Sequence, residues 1–357
     1  MNNCTVSAKT QVEQTIKSAA RAAGFDLCGI APVTPNSELE YFPEWIAAGL
    51  GGEMRYLESR NDSGALKRSS LEAAAPWARS VVVCAINYNS HRPYSTECKD
   101  KGRGWISRYA WSQQDYHDVV LGRLRGLEKQ LREFTDEDDL RSWSYVDTGP
   151  IVERVLAKYA GIGWQGKNTC IINQEIGSWL FLGVILTSLE LTPDLPAPDR
   201  CGSCTRCLDA CPTNAFIAPY RLDATRCISY LTIEKRGEVP EELRAGMGNH
   251  VFGCDICQDV CPWNREAPAA HSAEFQPRNE LVNPALEWLA EMSQEEFRAT
   301  FKGSPIKRAK YSGLRRNAAI AMGNSGNRKF IPQLQKMSQD EDGNVAEHAR
   351  WAIEQLK

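Results

Sequence analysis

The sequence has no apolar run of the roughly 20 residues that a bilayer-spanning helix needs. Its longest strongly apolar stretch, around Trp179 to Leu189, falls well short of that, so no membrane span is expected. The beginning, MNNCTVSAKTQVEQ, has no charged start followed by an apolar core, so no export leader is expected either. A dominant charge is also missing. The 42 Lys and Arg against 45 Asp and Glu leave a net charge of −3, so a polyanion must be held by a local basic patch and not by the field of the whole molecule. Hydrophobic residues at 42% and charged residues at 24% exclude wholesale disorder and fibrous repeats. A length of 357 residues leaves room for two or three domains.

Cysteine, by contrast, is abundant. Thirteen are present, an odd number, and eight of them crowd between Cys201 and Cys261. With no leader, a reducing compartment and metal ligation are expected in place of a disulfide scaffold. Cys4, Cys28, Cys84, Cys98 and Cys170 read as ordinary thiols. The run CGSCTRCLDACP sets Cys201, Cys204, Cys207 and Cys211 at the C-x2-C-x2-C-x3-C-P spacing of bacterial two-cluster ferredoxins. Cys227, Cys254, Cys257 and Cys261, followed by Pro262, repeat the closing half of that pattern after a longer gap. In such modules the fourth cysteine of each run ligates the other cluster. That rule assigns Cys201, Cys204, Cys207 and Cys261 to one four-iron cluster and Cys211, Cys227, Cys254 and Cys257 to the other. Two structural Cys4 zinc sites are the alternative, since thiolate geometry alone does not select iron. Three cysteines at successive two-residue gaps, followed by Cys-Pro, favour iron.

Hydrophobic periodicity predicts an α+β domain over residues 1–191. A helix from about Thr10 to Ala23 stops at Gly24 and leads into the strand FDLCGIAPV. Further strands are expected at Ser80–Tyr88 and Ser178–Leu189, with helices near Tyr116–Phe134 and from Pro150 onward. The acidic run Asp136 to Asp139 reads as a solvated loop. Three prolines in Thr192–Arg200 mark a boundary before a ferredoxin-like module over 192–276. Residues 277–357 then read as helical, ending in a pair of amphipathic helices of HEAT type.

GIGWQG, with Gly161, Gly163 and Gly166, matches the dinucleotide fingerprint only formally. The fingerprint needs a preceding strand, whereas IVERVLAKYA has helical spacing. The glycines still permit close backbone approach to a large ligand, with Lys167 and Asn168 offering polar contacts. In YVDTGP, Asp147 ends an apolar stretch just before a helix, which suits a protonation site facing a cleft. The competing reading makes Asp147 or Thr148 a helix cap.

The stretches YVDTGPIVERVLAKYAGIGWQGKNT, CGSCTRCLDACPTNAF, RCISYLTIEKRG, GCDICQDVCPWN and SGLRRNAAIAMGN together resemble the epoxyqueuosine reductase family, itself similar to reductive dehalogenases. The resemblance implies a nitroreductase-like cobalamin-binding domain, two 4Fe-4S clusters, and reduction of epoxyqueuosine in tRNA to queuosine. It implies Asp147 as proton donor and Arg68, Asp147, Lys167, Asn168, Ile171 and Tyr230 as cobalamin contacts. The Asp-x-His-x-x-Gly box of another cobalamin class is absent, because Asp115, Tyr116 and His117 run on into Asp118, Val119 and Val120. A histidine lower ligand is therefore not implied. A low-potential electron donor, a cytoplasmic location and a monomeric state complete the expectation. A small-molecule reductive dehalogenase and a non-catalytic iron–sulfur electron carrier are the rivals, and no twin-arginine leader favours the first.

From Phe297 to Gln339 the chain carries ten Lys or Arg and no Asp or Glu. This concentration predicts an RNA-facing surface in which Lys307, Arg308, Lys310, Arg315 and Arg316 contact phosphates and Asn317 donates hydrogen bonds. A merely solvated basic face is the alternative.

Overall fold

A computed structural model describes residues 4–135 and 139–357, with side chains from residue 11 onward. The first three residues of the acidic run at 136–139, and the side chain of Cys4, lie outside the described residues. The chain forms two compact units. One gathers Met1–Asn89, Tyr116–Cys204 and Trp263–Ser272, and the other gathers Ser90–Asp115, Thr205–Pro262 and Ala273–Lys357. Each unit is thus assembled from separated stretches, unlike the three successive segments drawn from composition.

The first unit is built on four strands, β1 (Leu27–Pro32), β2 (Ser80–Asn87), β3 (Ser142–Tyr145) and β4 (Leu180–Thr187), paired antiparallel in the order β1-β2-β4-β3. Every residue of β2 is buried, which is why SVVVCAIN reads as a continuous apolar run and not as an alternating one. Helices cover both faces. Helix α1 (Cys4–Ala22) packs on β1 and on α2 (Tyr116–Thr135), and α2 lays its buried Val120, Leu124, Leu127 and Leu131 along β3 and β4. Helix α3 (Glu153–Tyr159) packs on the other face, with Leu156 and Ala157 among Val81, Val83, Ala85, Val184 and Leu186. Burying one such aliphatic side chain contributes about 1.5–3 kcal/mol. The predicted Gly24 stop is present at φ 87 with its N–H donating to Arg21 O at 2.9 Å.

The second unit is mostly short helices and loops. A parallel pairing joins His250–Phe252 to Trp105–Ile106, so the stretch 90–115 serves this unit. Its end holds the helices Leu286–Glu291, Gln294–Thr300, Lys310–Asn324, Ile331–Met337 and Gly343–Gln355. A capping box between Ser293 and Glu296 starts the second of these. The short helix Ile331–Met337 had no separate periodic signal in the sequence.

Gly29 lets the C-terminus of α3 approach β1, because a Cβ there would lie 1.9 Å from the Ala160 carbonyl oxygen. Backbone cannot yield as a flexible side chain does. Gly29→Ala is expected to destabilise the fold by about 1–3 kcal/mol, read as a lower thermal-unfolding midpoint. An unchanged midpoint would show that α3 does not press on β1 as described.

Candidate active site and iron–sulfur module

Strand β3 delivers the chain to a tight turn before α3. Thr148 N–H donates to Val146 O at 2.6 Å, closing a three-residue turn centred on Asp147 at φ 56. This is the strained form of the γ-turn, and a residue held so costs on the order of 1–3 kcal/mol, a strain that concentrates at functional sites. The surroundings hold it. Arg68, nearly buried, donates to Gly149 O at 2.7 Å and to Tyr56 O at 2.8 Å. Gly149 lies so close to the Tyr145 ring that a Cβ would come within 2.5 Å of it. Helix α3 begins at Glu153, three residues after Pro150, and its N-cap Val152 makes no side-chain cap bond. Neither Asp147 nor Thr148 caps it, so the capping reading fails.

The Asp147 side chain is 71% exposed. The Tyr116 hydroxyl donates to Oδ2 at 2.9 Å, and His117 Nε2 lies 3.9 Å from the same oxygen. Tyr116 stacks between His117 and Phe181, at ring separations of 4.0 and 4.3 Å, so the carboxyl stands at the edge of an aromatic ledge. The sequence reading passed over Tyr116 as a site residue, although its place in Asp115-Tyr116-His117 at the start of a helix was visible.

The other residues tied to a corrinoid are placed differently. Lys167 Nζ donates to Gly202 O at 2.6 Å and Cys204 O at 2.9 Å, pinning the loop that carries Cys201 and Cys204. Asn168 and Ile171 are buried, and Asn168 Oδ1 accepts from Cys170 N–H at 3.2 Å. Tyr230 is buried in the second unit. Of the six, Asp147 alone is exposed. The space beside Gly163 and Gly166 is filled by Ile172, with its carbonyl oxygen 2.3 Å and its Cδ1 2.5 Å from the respective Cβ positions. These glycines serve the chain's own packing. Lys167 and Asn168, the two polar contacts the resemblance implies beside Asp147 and Arg68, also bond to the chain's own backbone.

The cysteine module is a near repeat. Cys207 sits in the helix Arg206–Asp209 and Cys257 in the helix Ile256–Asp259. Each helix is followed by a second cysteine, Cys211 or Cys261, and then by proline. The two helices pack together. Burial raises the thiol of Cys227 and lifts that of Cys254 well above the usual range, and the charge of Cys211 adds to both. None of the described cysteines is in a disulfide. Inward-facing free thiols of this kind suit a thiolate-ligated cluster. Stretch 90–115 braces the second helix. The buried Asp255 accepts from Trp105 Nε1 at 3.0 Å and Arg108 N–H at 2.8 Å, and Asp259 accepts from Ser95 N–H at 2.8 Å.

The basic stretch divides into two sets. Arg316 and Asn317, expected on the RNA surface, are enclosed at 1% and 0% exposure. Arg316 donates to Leu231 O, Lys235 O and Gly237 O, and Asn317 Nδ2 donates to Thr232 O and Val251 O. Both are corrected to internal staples, because their donors are already used on backbone carbonyls. Arg308 pairs with Glu234 at 2.9 Å and Arg315 with Asp340 at 2.6 Å, so acids outside the stretch neutralise them. Lys307 and Lys310 are exposed and line, with Arg298, Phe297, Tyr311 and Asp342, a groove of about 590 Å³.

Residues 200–264, which hold all eight cysteines of the module, match the 4Fe-4S double cluster binding domain. The chain is thus an iron–sulfur protein of the two-cluster class, and iron stands in place of the zinc alternative. Residues 68–148 match a family described as epoxyqueuosine reductase QueG, DUF1730. The chain is 39% identical to the epoxyqueuosine reductase of Xanthomonas campestris pv. campestris, covering 97% of this chain and 96% of that one. It is also similar to a crystal structure of epoxyqueuosine reductase with an epoxyqueuosine-modified tRNA-Tyr stem loop, with a TM-score of 0.84, 32% identity, and 97% and 90% of the two chains covered. The Bacillus subtilis epoxyqueuosine reductase, solved with its catalytic loop swung out of the active site, matches with a TM-score of 0.77 at 30% identity over 98% of this chain and 100% of that one. The chain belongs to the epoxyqueuosine reductase family.

The two sets of basic residues should separate on substitution. Arg316→Ala orphans buried carbonyls and is expected to destabilise the protein by about 3 kcal/mol or more. Lys307→Ala with Lys310→Ala is expected to leave the unfolding midpoint unchanged and reduce the slope of RNA affinity against salt. Equal stability for Arg316→Ala and the wild type would return Arg316 to the surface.

Proposed function

We propose that the chain reduces epoxyqueuosine to queuosine at the wobble position of tRNA, with electrons passing through two 4Fe-4S clusters and Asp147 as the proton donor. The observation that carries this reading is the Asp147 carboxyl, held exposed at the centre of a strained turn beside a hydroxyl donor in a member of this family. A relative bound to an epoxyqueuosine-modified stem loop supports tRNA as the substrate. The catalytic loop swung out in the Bacillus subtilis relative supports an acid-bearing turn that moves.

Removing the epoxide oxygen as water takes two electrons and two protons. Opening the ring leaves an alkoxide, a strong base and a poor leaving group, unless an acid protonates it as the bond breaks. A positioned general acid contributes about 10² to 10⁴ in rate. With Tyr116 engaged at Oδ2, Oδ1 of Asp147 is left to face the substrate.

Cys201, Cys204, Cys207 and Cys261 would hold one cluster, and Cys211, Cys227, Cys254 and Cys257 the other. The resemblance implies that a cobalamin, when bound, supplies one-electron chemistry at the substrate carbon; the proton step is derived without it. On this reading residues 1–191 are the nitroreductase-like catalytic part, 192–276 the cluster module and 277–357 the HEAT-like tRNA-binding part. Lys307, Lys310 and Arg298 face phosphates, which position without selecting. A low-potential carrier supplies electrons to a monomer in the cytoplasm, where its tRNA resides. Among the described residues no helix is long and apolar enough to cross a membrane.

Anaerobically purified protein should contain roughly eight irons, together with cobalt. Zinc in place of iron would overturn the cluster assignment, and iron without cobalt would remove the corrinoid. Asp147→Asn should keep its clusters and bind the modified stem loop while losing most turnover. Wild-type turnover in that variant would end the proton-donor reading.

A further inference from the structure

The epoxide oxygen leaves as water, so both protons of the reduction end on the same atom, whereas Asp147 carries one. Having given it, the carboxylate faces an oxygen that must be protonated again, and its next proton has to come from a neighbour. Two side chains at the start of α2 stand beside it. The Tyr116 hydroxyl donates to Asp147 Oδ2 at 2.9 Å, and His117 Nε2 lies 3.9 Å from the same oxygen. The two rings stack at 4.0 Å with 29° between their planes, and Phe181 of β4 backs Tyr116 at 4.3 Å with 1° between theirs. Tyr116 is buried, while the His117 side chain is 31% exposed. One ring is thus fixed on the sheet and the other opens to solvent.

We propose that His117 reloads Asp147 between the two protonations, taking a proton from solvent and passing it to Oδ2, while the Tyr116 hydroxyl holds the carboxyl in place. The inference rests on Asp147 being the proton donor. Histidine is the side chain suited to both taking and giving a proton near neutral pH, whereas a phenol holds its proton too tightly to be the source. The step balances. An N–H bond of the His117 imidazolium breaks, an O–H bond forms on the Asp147 carboxylate, and the neutral imidazole regains a proton from water. No electrons move in it; those arrive from the carrier through the clusters. A separation of 3.9 Å is longer than a hydrogen bond, and one bridging water or a tightening on substrate binding closes it. A proton received at Oδ2 is turned toward the substrate by a half-turn about the Cβ–Cγ bond, a broad two-fold torsion. At 71% exposure the carboxyl has room to make that turn.

The test uses the full, cluster-loaded chain with the modified stem loop. His117→Phe keeps a ring against Tyr116 but carries no proton. Its kcat is expected to fall about 10²-fold, with KM, stem-loop affinity and the unfolding midpoint unchanged. His117→Ala is expected to be as slow. Added imidazole should restore its turnover in proportion to the imidazolium present, because the vacated place is open to solvent. The same imidazole is expected to leave Asp147→Asn slow, since it acts through the carboxyl. Wild-type kcat in His117→Phe would overturn the proposal. So would a slow His117→Ala that imidazole does not quicken while clusters and stem-loop binding are intact, the mark of a purely structural role. Full turnover in Asp147→Asn would instead remove the acid reading and the reloading with it. A slow Asp147→Asn beside a His117→Phe of wild-type rate would remove the reloading alone.

Discussion

The arrangement of the site depends on one strained residue. Asp147 turns left-handed at φ 56, and nothing in an aspartate prefers that conformation strongly enough to keep it unaided. Strand β3 brings the chain in, α3 takes it out, Gly149 lets the turn fold down on the Tyr145 ring, and Arg68 holds its carbonyl from the side. The packed sheet beneath supplies the rigidity. The β1–β2–β4 core and the close approach of α3 at Gly29 fix where the helix begins, and therefore where the turn must end.

The cluster module follows the same logic of short elements held by outside contacts. Its helices each span four residues, too few to be stable alone. Buried carboxylates anchor one of them to stretch 90–115, and Asp255 takes an indole and a backbone donor at once. Lys167 does comparable work for the loop carrying Cys201 and Cys204. Lys167, a ligand contact by resemblance, is thus also a brace of the chain's own loop.

Much was legible in the sequence, for identifiable reasons. The runs at β2 and β4 are continuous and apolar because both faces of the sheet are covered, and the cysteine spacing is a local pattern set by one loop. Asp147 was legible as a candidate, but its turn type was not, because a γ-turn centred on aspartate has no periodic trace. The buried state of Arg316 and Asn317 was hidden because a charge count cannot tell a phosphate from a backbone carbonyl as the acceptor. The acids that neutralise Arg308 and Arg315 were missed because Glu234 and Asp340 lie outside the stretch that was counted. Contributions from distant segments, such as Trp105 and Ser95 to the cluster module, lay beyond any local reading.

The most direct test of Asp147 as the proton donor is chemical rescue. Because the side chain is 71% exposed, a small acid can reach the place its carboxyl leaves in Asp147→Ala. Single-turnover reduction of an epoxyqueuosine stem loop by that variant should rise with added formic or acetic acid, in proportion to the protonated form of the acid. Cluster content should be unchanged. A rate indifferent to these acids, with the clusters intact and the stem loop bound, would contradict the account.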